Sequence, residues 1–388
     1  MSQFPRLEYS MNDVRAAGIK LAGKVRFDAA NYSDAVETFS VANSWRDSHI
    51  RPMQSVRASV RSHMRLADVP GNMASRPKRM SSIRRKLAET TLRLDQMQDL
   101  GGCRAILNDI DGVNRVVERI RESFPHVIRK EWDYIQNPKG DGYRSHHLSL
   151  VFKASRREDE TYVGRRIELQ VRTRLQHCWA TAIEAVSLYR NQDLKHHHGD
   201  ADWLRLFVLA AAEFAYIERC PLPDGIPDRS ERIRELKDLN RRLGAISMLE
   251  NIKAATHFAE NFIYERGRYY LLRYRPDHTV KIETYDALFL ATGALAAAEQ
   301  AIEAGESTES VVLVEVDKID RLVETYPNYF GDVSLFIRNL HLACNGRPGI
   351  EYTVAPQEII RPREVENPDY SLLHRRYTKW IETRRGVR

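Results

Sequence analysis

The segment Arg166–Thr173 reads R-I-E-L-Q-V-R-T. A period of two sends Arg166, Glu168, Gln170 and Arg172 to one side and Ile167, Leu169 and Val171 to the other. A strand with an apolar back and a front of base, acid, amide and base suggests a site. An edge strand with a solvated face has the same pattern, so the residues around it must decide. Upstream, Arg76, Lys78 and Arg79 precede Ser81, Ser82, Ile83, Arg84, Arg85, Lys86 and Leu87. Ile83 and Leu87 give a helix one buried edge, and Ser81 or Ser82 is expected to cap its N-terminus. Cations beside unpaired helix N–H groups form a cradle for polyphosphate, although a solvated basic face reads the same way. Asp99 stands before Gly101 and Gly102 at the mouth of an apolar strand. There it is a candidate metal ligand, with the glycines allowing a close backbone approach. The polar loop 133–145 offers Lys139, Tyr143 and Arg144, which could hold an anion and stack a base.

The elements that must position these groups follow from periodicity. Residues 11–66 are helical in pattern, with Val56, Val60 and Met64 at i, i+4 and i+8. Helices are expected over 113–124 and 174–190, and strands over 105–107, 127–128, 146–152 and 166–173. In the 174–190 helix Leu175, Trp179, Ile183 and Val186 form a core stripe, and His177, Thr181 and Glu184 share another face. Beyond it, 202–220 and 231–262 read as helices. The order β-β-α-β-α over 265–342, with a hairpin around Pro276 and Asp277, predicts a small α+β unit.

Composition sets the outer limits. The 388 residues are 43% hydrophobic and 29% charged, which is ordinary for a folded chain of two or three domains. A net charge of +7 admits polyanionic partners such as nucleotides or RNA. The four cysteines lie far apart with no C-x-x-C pair, the pattern of reduced thiols. No signal-like segment or long apolar run occurs, so a cytoplasmic protein with no membrane partner is expected. Consecutive His196, His197 and His198 splay apart, which fits a solvated turn better than a metal site.

Four blocks in order resemble the synthetase domain of the RelA/SpoT family, the alarmone (p)ppGpp synthetases. They are Arg76, Lys78, Ser82, Ile83 and Lys86; then Asp99, Gly102 and Arg104; then the loop from Asp133 to His147; then Glu168 to Thr173. Trp179, Ala180 and Glu184 add a weaker fifth, and the resemblance covers roughly residues 40–190. It implies an α/β (α+β) fold, a mixed sheet flanked by helices of nucleotidyltransferase-like kind, and transfer of pyrophosphate from ATP to the 3′-hydroxyl of GDP or GTP. By the same resemblance Arg76 and Arg104 sandwich adenine, and Lys78, Ser82 and Lys86 hold the ATP phosphates. Asp99 and Glu168 hold Mg2+, with Glu168 also helping to deprotonate the acceptor hydroxyl. Tyr143 stacks on the acceptor base and Lys139 and His147 hold its phosphates, with Ser145, Gln170 and Arg172 completing the acceptor side. Where the family usually has Leu and Asn this chain has His146 and Asp141, and Ala185 follows Glu184 where small synthetases often have His. No His-Asp dipeptide occurs, so the family's hydrolase domain is not expected. Intact Asp99, Glu168, Lys78 and Arg104 argue against a domain kept only for binding.

The expected organisation is N-terminal helices (1–66), synthetase domain (67–195), helical connector (196–264), regulatory α+β domain (265–342) and basic tail (343–388). Tyr326 and Tyr329 form a Y-x-x-Y pair. They read as a turn with aromatics tucked into the local core, or as the latch of the CapRel-type fused toxin–antitoxin branch, which the C-terminal domain resembles. On that alternative the acceptor is the 3′ CCA end of tRNA, the C-terminal domain inhibits, and a phage protein is the trigger. The tail from 371, with six Lys/Arg, could contact RNA phosphates or simply be solvated.

Overall fold

The computed structural model of the chain describes residues 4–23, 25, 30–190, 200–260, 269–275, 280–315, 333–347 and 349. The contacts divide the chain into residues 1–352 and 353–388, and only the first holds described residues. Three helices open it: α1 (Met11–Ala22), α2 (Tyr32–Asp47) and α3 (Ile50–Leu66). Then follow β1 (Gly71–Pro77), α4 (Met80–Glu89), β2 (Gly101–Leu107), α5 (Ile110–Ser123), β3 (Val127–Asp133), β4 (His146–Val151) and β5 (Arg166–Thr173). Four helices come next, α6 (Arg174–Arg190), α7 (Ala201–Ile217), α8 (Arg229–Leu243) and α9 (Ala245–Glu260). The last described elements are β6 (Tyr269–Tyr274), β7 (Val280–Tyr285), α10 (Leu288–Glu303), β8 (Ser310–Glu315) and α11 (Ser334–Cys344).

The strands among the described residues form one eight-stranded sheet in the order β3-β4-β5-β2-β1-β8-β6-β7. The β2–β5 pair is parallel and the others are antiparallel, which makes the mixed, helix-flanked sheet expected from sequence. The strands expected in the 265–342 unit continue this sheet, β8 meeting β1 at Ser75 and Glu315.

Alternation gives the central strands one apolar face. Met73, Cys103, Ala105, Leu107, Leu148, Leu150, Ile167, Leu169 and Val171 are buried under α3 and α5 through Val56, Val60, Val113, Val116 and Ile120. Each such Leu, Ile or Val contributes on the order of 1.5–3 kcal/mol by leaving water. On α6 the predicted stripe of Leu175, Trp179, Ile183 and Val186 packs with α7, α8, α9 and α11. The long helix expected after 231 is two helices, because Gly244 takes a left-handed conformation (φ 58°) and ends α8. Residues 71–77, over which periodicity predicts no strand, form β1, since Gly71 to Pro77 pair residue by residue with Leu107 to Gly101. One further expectation needs correction. The capping serines are not caps: α4 starts at Met80 after Arg79, so Ser81 and Ser82 lie inside its first turn, and no side chain of Arg79 caps it. Among the described residues no helix is long and apolar enough to cross a membrane.

The loop before β4 is held by its own turn. Gly142 N–H donates to the Lys139 carbonyl (2.9 Å), and Asp141 Oδ1 accepts from Tyr143 N–H (2.8 Å). An Asn side chain offers the same acceptor, so Asp141 preserves this turn. Gly142 sits at φ 88°, and a Cβ there would lie 2.7 Å from Ala211 Cβ of α7. Strain and overlap together predict that Gly142→Ala lowers unfolding stability by about 2 kcal/mol or more. Gly140→Ala should change it by less than about 0.5 kcal/mol, because nothing lies within 4 Å of its added methyl group. Urea denaturation of the two variants checks this.

Candidate active site

The sheet register lines up the polar residues. One row across the strands is Arg76 (β1), Gly102 (β2), Glu168 (β5) and Ser149 (β4). The next is Ala74, Arg104, Gln170 and His147. Residues directly opposite in a ladder share a face, so these chains stand on the side opposite the apolar core. The anticipated crowding holds at Gly101, whose Cβ would meet Ile167 Cδ1 at 2.8 Å. Gly102 is different, since the nearest atom to an added Cβ is the Arg76 carbonyl at 3.7 Å. It leaves a gap in the row between Arg76 and Glu168.

Beside this face lies α4. Met80, Ile83 and Leu87 anchor it in a cluster with Phe39, Trp45, Leu94 and Leu100, so Ser82 and Lys86, one turn apart, share another side. Lys78 follows β1 directly, its N–H donating to the Leu100 carbonyl (2.9 Å). Lys78 Nζ and Lys86 Nζ both donate to Asp99 Oδ2, at 2.8 and 2.9 Å. Asp99 Oδ1 is buried with no hydrogen-bond partner. An orphaned carboxylate oxygen among cations fits a site that exchanges partners when a metal or phosphate arrives. Hard oxygen donors from one or two carboxylates, completed by substrate phosphates and water, are the set Mg2+ takes. Asp99 and Glu168 therefore fit that ion.

Glu168 is the centre of a hydrogen-bonded chain. Gln170 Nε2 donates to Glu168 Oε2 at 2.8 Å, and His147 Nδ1 lies 3.3 Å from Oε1. On its other side His147 Nε2 lies 2.8 Å from the Tyr143 hydroxyl. A proton on Nδ1 lets the imidazole donate to Glu168, while Nε2 meets the Tyr143 hydroxyl. Arg104 Nε reaches Gln170 Oε1 at 3.5 Å. Burial alone would raise the Glu168 carboxyl, but the His147 hydrogen bond and charge, the Gln170 bond and the Lys78 charge outweigh it and hold it at about 2. Lys139 Nζ sits 4.5 Å over the ring of Tyr134 and 5.4 Å from that of Tyr143, and Tyr134 meets His147 edge-on at 5.2 Å. Tyr134 is thus a site residue that the sequence reading passed over, although it is part of the quoted loop.

Other expected residues are buried at the edge of this constellation, beside Tyr143, or turn away from it. Ser145 is fully buried and donates to the Val171 carbonyl (3.3 Å). Arg172 is buried, with Nη2 at 2.5 Å from His177 Nδ1, and burial brings its guanidinium down to about 9. His146, one residue off the His147 row, turns away to Glu131 (Nε2 to Oε1, 2.6 Å) on β3. Loop residue Arg144 is also turned elsewhere, forming a buried pair with Glu218 (2.6 Å). Tyr326, Tyr329, His196 to His198 and the basic residues of the tail from 371 lie outside the described residues.

A depressed carboxyl ties stability to pH. Glu168 adds stability that is fully present above the unfolded carboxylate pKa and is lost as pH falls toward about 2. In denaturant titrations from pH 6 down to about 2, the stability advantage of wild type over Glu168→Gln should shrink steadily below about pH 5. An advantage that stays constant to the acid limit contradicts the assignment.

Comparison with known proteins matches residues 75–194 to the model described as "Region found in RelA / SpoT proteins". The GTP pyrophosphokinase of Photobacterium angustum is 25% identical over 114 residues, 29% of this chain and 14% of the relative. That of Escherichia coli is 25% identical over 118 residues, 30% of this chain and 15% of the relative. The chain thus spans about a seventh of the length of these curated relatives. Among solved structures, small alarmone synthetase 1 from Bacillus subtilis bound to its product pppGpp is 23% identical, covering 34% of this chain and 73% of that one, with a TM-score of 0.30. A GTP pyrophosphokinase family protein from Streptococcus pneumoniae is 21% identical, covering 45% and 88%, with a TM-score of 0.38. Arg76, Arg104, His147, Ser149, Glu168 and Gln170 of the two rows all fall inside the matched segment.

Proposed function

We propose that this chain transfers pyrophosphate from ATP to the 3′-hydroxyl of GDP or GTP, giving a (p)ppGpp-type product. The observation that carries the reading is the single sheet face on which Arg76, Arg104, Glu168, Gln170 and His147 stand in register beside the Lys78–Asp99–Lys86 cluster. Phosphoryl and pyrophosphoryl transfer need positioning and charge more than covalent help, and this face supplies both. Arg76 and Arg104 bracket the donor base. Lys78, Ser82 and Lys86 take the phosphates, the lysines leaving Asp99 as a more highly charged anion arrives. Asp99 and Glu168 would hold Mg2+, which when bound neutralises charge on the phosphate oxygens.

A carboxylate held near 2 is ionised at neutral pH and is a weak base. Glu168 therefore acts first as a hydrogen-bond acceptor that orients the attacking hydroxyl and takes its proton as the bond to phosphorus forms, while His147 Nδ1–H holds the carboxylate in place. Tyr143 and Tyr134 present aromatic surface to the acceptor base, and Lys139 and His147 lie within reach of its phosphates. We extend the reading to regulation by the segment after residue 265, since α10 and β8 rest against α4 and β1.

The test offers purified protein Mg2+ and ATP labelled at the β and γ phosphates, with GDP, GTP, AMP and bulk tRNA in parallel. Label should appear on GDP or GTP, and Glu168→Gln and Lys78→Met should each lower kcat/KM by about a hundredfold or more. Label on tRNA alone overturns the acceptor assignment in favour of a translation-blocking toxin. Label on no acceptor overturns the activity itself.

A further inference from the structure

Glu299 belongs to α10, far outside the RelA/SpoT region and outside every motif described above. Its side chain is buried, yet it is ionisable and ends at the start of α4. Oε1 accepts the backbone N–H of Met80 at 2.7 Å, and Oε2 accepts from Arg46 Nη1 at 2.6 Å. The same Arg46 nitrogen donates to the Lys78 carbonyl at 3.3 Å, while Nε lies 3.6 Å from Asp47. The turn that carries Lys78 from β1 into α4 is therefore gripped on both sides by one buried ion pair. A carboxylate at the first N–H of a helix does the work that Ser81 and Ser82 were expected to do. Neighbouring contacts act on the same turn and helix: Arg79 Nη1 donates to Ser310 Oγ of β8 (3.0 Å), and Arg84 pairs with Glu303 of α10.

We infer that Glu299 is a positioning residue for the donor nucleotide, holding residues 78–80 so that Lys78, Ser82 and Lys86 converge on the phosphates. The inference rests on the proposed donor role of those residues. Glu299 touches no substrate; it acts through Met80 N–H and Arg46. Removing it frees the turn, and a displacement of about an ångström in a phosphate clamp is expensive. The effect should fall on the donor and spare the acceptor, whose residues lie on β4, β5 and the loop between β3 and β4.

The experiment measures binding of a non-hydrolysable ATP analogue with Mg2+ to wild type, Glu299→Ala, Glu299→Gln and, as a control on the far edge of the sheet, Glu283→Gln. Thermal unfolding and the KM for each substrate are followed alongside. Glu299→Ala should weaken analogue binding and raise the ATP KM by about tenfold, with the acceptor KM unchanged. Glu299→Gln keeps an acceptor for Met80 N–H and should recover part of the loss, while Glu283→Gln should match wild type. Unchanged analogue affinity in folded Glu299→Ala overturns the inference, as does an equal loss for donor and acceptor. If Glu299→Ala does not fold, Glu299→Gln decides by the same criteria. Wild type that binds no analogue at all overturns the synthetase reading, and the inference falls with it for that separate reason.

Discussion

The parallel pairing of β2 with β5 is the constraint on which the rest depends. It sets Gly102 opposite Glu168 and Arg104 opposite Gln170. Antiparallel β1 and β4 then bring Arg76 and His147 into the same rows. A slip of one residue would turn Glu168 into the apolar layer and Leu169 out of it. Burial of Cys103, Ala105, Ile167, Leu169 and Val171 under α3 and α5 forbids that slip. Core packing thus fixes the register, and the register assembles the site.

Charge balance on this face is local. One oxygen of Asp99 holds two lysines, while Glu168 is held ionised by His147, Gln170 and Lys78. The acids neutralise cations that a polyanionic ligand would otherwise claim, so the face is compact without a ligand and ready to exchange partners with one. The site also draws support from beyond residues 75–194. Glu299 reaches α4 from a helix whose apolar side packs on β6 and β8 through Leu295, Ala291, Leu271 and Leu313.

Much of this was legible in the sequence because alternation and helical spacing are local signals. The face of Arg166, Glu168, Gln170 and Arg172, the α6 stripe and the buried pair Ile83 and Leu87 all follow from period alone. What the sequence hid depends on partners distant along the chain. G-N-M-A-S-R-P has no β-branched residue and ends in Gly and Pro, so β1 is a strand only because β2 pairs with it. Ser145 and Arg172 carry polar side chains in suggestive places, but tertiary packing turns Ser145 to the backbone and seats Arg172 against His177. Glu299 lies in an alanine-rich helix with no motif around it, and only the fold shows what it caps. One missed element did leave a trace: Phe336, Leu340 and Ala343 repeat at helical spacing and are the buried side of α11.

The central claim is that one face of the sheet binds a donor polyphosphate through cations now held by Asp99. A crystal structure of the protein with a non-hydrolysable ATP analogue and Mg2+ tests it most directly. The account predicts that Lys78 and Lys86 leave Asp99 for phosphate oxygens, with Asp99 and Glu168 facing the ion. An analogue bound elsewhere, with both lysines still on Asp99, would contradict it.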